Sequence, residues 1–254
     1  MITASTGRGQ LQPTRSRSIL PAMNDRAATD WVVGRLREAF GAPELPESDP
    51  MEALVLTVLS QNTNDRNRDR AYRSLRRRFP SWDLLADADP AEIASAIRVG
   101  GLHQQKAVRI RDVLQRIRTE RGRFDLSFLA DGPIDAGMDW LLASPGVGRK
   151  TASIVLLFAF GFPVFPVDTH VARTTRRIGW VRPGEDPHRR MNAILPPDSR
   201  RMADLHLLLI ELGRRLCRPR NPDCPRCPLR ERCETGRRAL AEDTVSAPVG
   251  RSAE

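Results

Sequence analysis

The sequence predicts an all-α protein, and three observations carry that prediction. Asp-Pro pairs at 49–50, 89–90 and 186–187 each head an apolar stretch of helical period; aspartate serves as N-cap and proline fills the first turn, where its missing N–H removes no hydrogen bond. Glycines stand at or near the far ends of such stretches, at Gly100-Gly101, Gly161, Gly179 and Gly213, as helix C-termini favour. No run of alternating apolar and polar residues marks a strand, and no internal repeat is present. With 254 residues, 40% of them hydrophobic, the chain can bury one large core or two small ones. Short connections between helices then favour a compact bundle or two lobes.

Taken in order, residues 1–23 mix Ser, Thr, Gly, Pro and Arg without period and read as a flexible tail. They lack the apolar segment of a secretory signal, so a cytoplasmic location is expected. After Pro50, "MEALVLTVLSQ" is apolar nearly all round and predicts a central, buried helix. "RAYRSLRRRF" (70–79) and "KAVRIRDVLQRI" (106–117) each carry one apolar stripe and an arginine-rich face. Lys106 reads as a helix-surface residue or a phosphate contact. The longest apolar run, "IVLLFAFGFPVF" (154–165), is broken by Gly161 and Pro163 and falls well short of the roughly 20 residues of a membrane span. Residues 238–254 again read as a flexible tail.

The charge points to a polyanionic partner. Net charge is +10, most simply explained by nucleic acid, although a solvated basic surface has the same composition. Of 41 basic residues, only Lys106 and Lys150 are lysines. Where arginine is the default cation, a retained lysine suggests an amine that must be able to lose its proton.

Lys150 sits in "DAGMDWLLASPGVGRKTASIVLLFAF" (135–160), which reads as helix, tight turn, helix. Pro145 stops the first helix, and Gly146 and Gly148 permit a turn that other residues would strain. The unpaired amides that open the second helix, with Arg149 beside them, form a small anion site fit for a DNA phosphate; an ordinary αα-turn is the plain alternative. Lys150 lies in that helix's first turn, where the positive helix end and Arg149 would lower its pKa and free an amine nucleophile. Eighteen residues on, "FPVDTHVAR" places Asp168 just before a predicted helix. Asp168 is either simply that helix's cap or the carboxylate partner of the amine.

All four cysteines follow in "CRPRNPDCPRCPLRERC": Cys217, Cys224, Cys227 and Cys233. In a cytosolic chain this C-x6-C-x2-C-x5-C run reads as a metal site, either a [4Fe–4S] cluster or, less readily, tetrahedral zinc. Its role would be to fold a loop too short for its own core. Arg218, Arg220, Arg226, Arg230 and Arg232 lie on that loop as a basic patch or a merely solvated face.

Hairpin, lysine, aspartate and cysteine run together resemble the endonuclease III family of helix-hairpin-helix DNA glycosylases, over residues of about 27 to 235. The resemblance implies a two-lobed all-α fold with DNA in the cleft between the lobes. One lobe is a six-helix barrel (50–162) containing the hairpin (about 134–160); the other (24–49 and 163–237) carries a [4Fe–4S] cluster. It implies a bifunctional glycosylase and abasic-site lyase of base excision repair, acting as a monomer on damaged duplex DNA, with no membrane partner and nucleoid association through the DNA. Lys150 matches the family's nucleophile and Asp168 its catalytic aspartate, with an oxidised pyrimidine such as thymine glycol as target. "SQNTND" (60–65) resembles the loop that fills the gap left by a flipped base, through Gln61 or Asn62. "GGLHQQKA" (100–107) resembles the loop that wedges into the opposite strand, with Leu102 as wedge and His103 beside it. Ser144 departs from the leucine usual before the Pro-Gly, which implies a weaker apolar anchor for the hairpin. Two other functions compete: a monofunctional mismatch glycosylase acting on adenine, thymine or uracil, and a non-catalytic iron–sulfur DNA-binding protein.

Overall fold

The computed structural model describes residues 26–46 and 49–246, and among these it contains only helices, two short 3₁₀ turns and connecting loops. Twelve α-helices follow in order: α1 (Arg26–Phe40), α2 (Pro50–Ser60), α3 (Asp65–Arg78), α4 (Trp82–Asp87), α5 (Pro90–Ala96), α6 (His103–Arg121), α7 (Ile134–Leu142), α8 (Arg149–Phe160), α9 (Thr169–Ile178), α10 (Pro187–Ile194), α11 (Ser199–Arg215) and α12 (Glu234–Ser246). The 1–23 stretch lies outside the described residues, as does the chain from 247 onward. α12 runs into the 238–254 segment read from sequence as a flexible tail, which is therefore helical as far as Ser246.

The cap chemistry written into the sequence is realised. Asp49, Asp89 and Asp186 each cap a helix whose first turn holds a proline, and Asn64, Ser81, Asp168 and Asp198 cap four more through side-chain oxygens. Each such cap typically contributes about 1 kcal/mol by satisfying an otherwise orphaned N–H. α6 and α8 have no side-chain cap.

The helices assort into two groups. α2 is buried along most of its length through Met51, Leu54, Val55, Val58 and Leu59, and packs on α3, α6 and α8. α4 and α5 lie on α6, and α7 lies against α8. The second group is centred on α11, against which α1 and α9 pack, while α12 rests on α9. Arg37–Asp204 and Arg201–Asp30 ion pairs fasten α1 to α11. Gly213 lies inside α11's last turn rather than ending the helix, and a Cβ there would come 2.9 Å from His170 Cβ; its glycine lets α11 and α9 approach closely. α11 also touches α8, and a cleft of about 1110 Å³ opens between the groups.

Lys106 is not a surface residue. It is 0% exposed, and its Nζ donates to the Leu59 and Gly100 carbonyls at 2.7 Å each. The arginine-rich composition of its helix masked a position on the buried stripe, with Ala107, Ile110, Val113, Leu114 and Ile117.

Candidate active site

The cleft draws its walls from both helix groups: the loop after α1, the end of α2, and the starts of α8 and α9 opposite α11. Lys150 and Asp168 line it together with Gln61 and Asn62. α8 packs against α2, which carries Lys150 in the first turn of α8 to the last turn of α2. There Nζ donates to Ser60 Oγ at 3.4 Å, and Ser60 Oγ in turn donates to the Thr57 carbonyl.

Lys150's pKa lies below the ordinary lysine range. The direction agrees with the sequence reading, but the cause differs. Burial dominates, Arg68 adds to it, and Asp168 and Asp65 pull the other way; Arg149, expected to act on Lys150, is not among these causes. Asp168 does cap its helix, accepting from the Val171 N–H at 2.7 Å through Oδ1. The capping bond uses one carboxylate oxygen, and its charge still reaches Lys150. The two alternatives for Asp168 are thus compatible in one side chain.

Several cleft residues escaped the sequence reading. Asp65 binds Arg214 at 2.7 Å and Arg68 at 3.3 Å. Burial pushes its carboxyl up, but Arg214, Arg68 and Lys150 outweigh burial and hold it below the usual carboxylate value. His206 is 2% exposed and sits edge-on to Phe165, with Nδ1–H donating to the Pro166 carbonyl at 3.0 Å. Burial keeps its imidazole neutral; Asp168 opposes and Lys150 reinforces that effect. No local motif marks His206 or Arg214, because α11 meets α8 and α9 only in the folded chain; Asp65 ends the "SQNTND" stretch, where only Gln61 and Asn62 were singled out.

The hairpin forms one rim beside the cleft. α7 ends at Leu142, and Gly146 turns the chain at φ +78°. Gly148 serves as N-cap of α8 without a side-chain oxygen, so the first-turn amides retain their donors. Ser144 is 2% exposed and accepts from Arg116 Nη1 at 2.6 Å, while the same guanidinium donates to the Trp140 carbonyl. A polar tie to α6 therefore replaces the apolar anchor that leucine would supply. The two glycines differ. A Cβ on Gly146 would meet Arg109 Cδ at 2.4 Å, on a left-handed backbone, whereas one on Gly148 meets nothing within 4 Å. Gly146→Ala is expected to lower stability by about 1–3 kcal/mol, and Gly148→Ala, which has room for its Cβ but leaves a poorer N-cap, by about 1 kcal/mol or less; paired thermal melts check both.

The two candidate loops adjoin this rim. Gln61 is engaged, accepting from Arg109 Nη1 at 2.7 Å and donating to the Gly146 carbonyl at 3.2 Å. Asn62 is exposed, on a left-handed backbone with φ 51°. Leu102, 44% exposed, also adopts a left-handed conformation (φ 46°) directly before His103 opens α6. A branched apolar residue held there is strained, a cost of order 1–3 kcal/mol that concentrates at functional positions. Arg149, next to Lys150, is exposed.

The four cysteines lie away from the cleft, in the loop between α11 and α12. Among the described residues no three His, Cys, Asp or Glu side chains stand close enough to share one metal ion. Yet the thiols are close enough to disfavour each other's ionisation. Cys227 is pushed up to about 11, first by burial and then by Cys233, Cys217 and Cys224, and Cys224 and Cys233 are raised likewise. Four thiolates there would need a compensating positive centre. The five loop arginines are exposed, but Arg232 stacks over Trp31, Arg230 donates to the Pro225 carbonyl and Arg226 pairs with Asp223, so three of them hold the loop itself.

Comparison with known proteins agrees with this architecture. Residues 55–197 match the model of the HhH-GPD superfamily base excision DNA repair protein. Endonuclease III of Thermotoga maritima is 38% identical over 194 residues, spanning 76% of this chain and 86% of that one. A solved endonuclease III–DNA covalent intermediate superposes with a TM-score of 0.69 at 27% identity, covering 85% of this chain and 99% of the other. A thermostable thymine-DNA glycosylase (TM-score 0.67, 19% identity, 85% and 97% covered) shares the fold. Two helical groups, a glycine-turned hairpin on the rim of their cleft, and these relationships together place the chain in the endonuclease III family of the HhH-GPD superfamily, as a DNA glycosylase of base excision repair.

Proposed function

We propose that the chain is a bifunctional glycosylase and abasic-site lyase that removes oxidised pyrimidines, such as thymine glycol, from duplex DNA. The observation that carries this reading is a half-buried lysine of depressed pKa that shares one cleft with an aspartate. Duplex DNA lies across the cleft between the barrel lobe (50–162) and the second lobe (24–49 and 163–237), and the damaged nucleotide is flipped into it. The hairpin amides at Gly146 and Gly148, with Arg149, bind a phosphate. Asn62 fills the vacated gap, because Gln61 is already held by Arg109 and Gly146. Leu102, with His103, wedges into the opposite strand. The protein works as a monomer at the nucleoid.

Lys150 Nζ, deprotonated, attacks C1′ of the flipped nucleotide. The glycosidic bond breaks, its electron pair leaving with the base, which takes up a proton. Loss of the amine proton and opening of the sugar ring give the C1′=Nζ Schiff base. Removal of a C2′ proton then expels the 3′-phosphate by β-elimination, and water releases the enzyme. Asp168 supplies negative charge opposite the cationic sugar and assists proton removal. Arginine cannot replace Lys150, since its guanidinium holds its proton throughout the accessible pH range.

Cys217, Cys224, Cys227 and Cys233 would hold a [4Fe–4S] cluster; one close pair flanked by single cysteines fits it better than the two close pairs usual for zinc. When bound, the cluster supplies cationic iron to four thiolates and so folds the loop. The purified protein is expected to contain about four irons per chain with acid-labile sulfide, and Cys227→Ser to lose both; zinc in their place overturns the cluster.

Borohydride trapping on a duplex containing one thymine glycol tests the main reading. A covalent protein–DNA adduct is expected. Excision without an adduct would instead favour the monofunctional mismatch reading, which the shared fold of the thymine-DNA glycosylase keeps in view. If neither occurs, trapping at a preformed abasic site separates wrong base from wrong chemistry.

A further inference from the structure

We propose that Lys106 and Arg109, one turn apart on α6, are positioning residues that lock the gap-filling loop, the wedge loop and the hairpin into a single preset edge for opening DNA. The inference rests on the proposed reading of those loops as DNA-facing.

Lys106 joins the first two loops. Its Nζ donates to Leu59 O, in the last turn of α2 just before Gln61 and Asn62, and to Gly100 O, just before Gly101 and Leu102. Carbonyls at helix ends lack a partner from the next turn and carry the negative end of the helix dipole, so a buried cation shared between two such ends satisfies both. The loops also abut: a Cβ on Gly101 would lie 4.0 Å from the Asn62 carbonyl. Arg109 joins the third element. It donates to Gln61 Oε1, its stem lies against Gly146, and Gln61 in turn donates to the Gly146 carbonyl.

Chemistry explains why this position is a lysine in an arginine chain. The site is closed and offers two carbonyls to a compact donor, whereas a guanidinium would bring five N–H groups and leave three without partners. Burial, with Arg109 nearby, brings Lys106 down to about 8, yet a neutral amine still has two N–H groups for two carbonyls. The tie therefore holds in either protonation state. Asn62 and Leu102, the two left-handed residues that follow the tied carbonyls, are held without flexible search, so the energy of opening a base step is met by prearranged groups.

The test compares the full-length wild type with Lys106→Met and Arg109→Met in single-turnover excision. One substrate carries thymine glycol in a fully paired duplex; the other places it in a short mismatched bubble, where flipping costs less. Both variants are expected to lose roughly 10- to 100-fold on the paired duplex and less than about 3-fold on the bubble. A residue that merely supports the fold would depress both substrates alike. Equal losses on the two substrates, or no loss on either, overturn the proposal. Arg109 is partly exposed, so Arg109→Met decides the matter if Lys106→Met does not fold. If wild type excises from neither substrate, the functional reading falls, and this inference falls with it.

Discussion

Lys150→Ala is expected to abolish the borohydride-trapped adduct and to reduce excision by roughly 10³-fold or more, while the protein still melts cooperatively and binds duplex DNA. The size of the effect follows from the chemistry, since no neighbouring group in the cleft can replace an amine that must become an imine. Lys150 is in the first turn of α8 and makes a single long hydrogen bond, to Ser60, so its removal leaves the fold largely untouched. Wild-type activity should also report the amine's ionisation. Because burial holds the Lys150 pKa below the ordinary 10.5, the reactive neutral form accumulates as pH rises through a value lower than that. The rate should therefore climb with pH along a limb centred below the free-lysine range. Full activity in Lys150→Ala would overturn the assignment; excision without trapping in the wild type would overturn the Schiff base.

Asp168→Asn separates the two roles that one side chain combines. Asparagine caps a helix about as well as aspartate, so the bond to the Val171 N–H should survive and the melting temperature should change little. The negative charge is lost, and excision should fall roughly 10²- to 10⁴-fold. Asp168→Ala should lose activity similarly and, in addition, about 1 kcal/mol of stability with the cap. The substitution has a second, signed consequence. Asp168 raises the Lys150 pKa, so removing its charge should shift the rising limb of the pH–rate profile to lower pH even as its ceiling drops. An Asp168→Asn enzyme of normal rate would reduce Asp168 to a cap. A profile that moved upward would mean that the two groups do not communicate as the electrostatics require.

Much of this molecule is legible in one dimension because its signals are local. The Asp-Pro pairs at 49–50, 89–90 and 186–187 specify helix starts through bonds that span two or three residues, and all three form. The hairpin around Gly146 and Gly148 is likewise a local event, set by the conformations glycine permits. Lys150 and Asp168 stood out as chemistry before any geometry was known. The burial of α2 followed from its composition alone, because a helix apolar on every face has nowhere else to go.

Tertiary structure alone decided the rest, and the cases share one physical reason. Lys106 on a surface and Lys106 in the interior read the same in a helix rich in charge; only the convergence of two helix ends from 59 and 100 makes it a buried tie. The lowered pKa of Lys150 was anticipated from its helix end, but its main cause is burial by elements distant in sequence. His206 and Arg214 join the cleft without a motif, brought there by the packing of α11, and the ion pair of Asp65 with Arg214 forms only through that packing. Ser144 looked like a weakened anchor until Arg116, 28 residues earlier, was found to hold it. The sequence by itself determined the helices and the turn, since these depend on bonds between near neighbours, and it singled out Lys150 and Asp168 as the proposed reactive pair. Their environments depend on which distant surfaces come together and exclude water, and that is decided only by the folded chain.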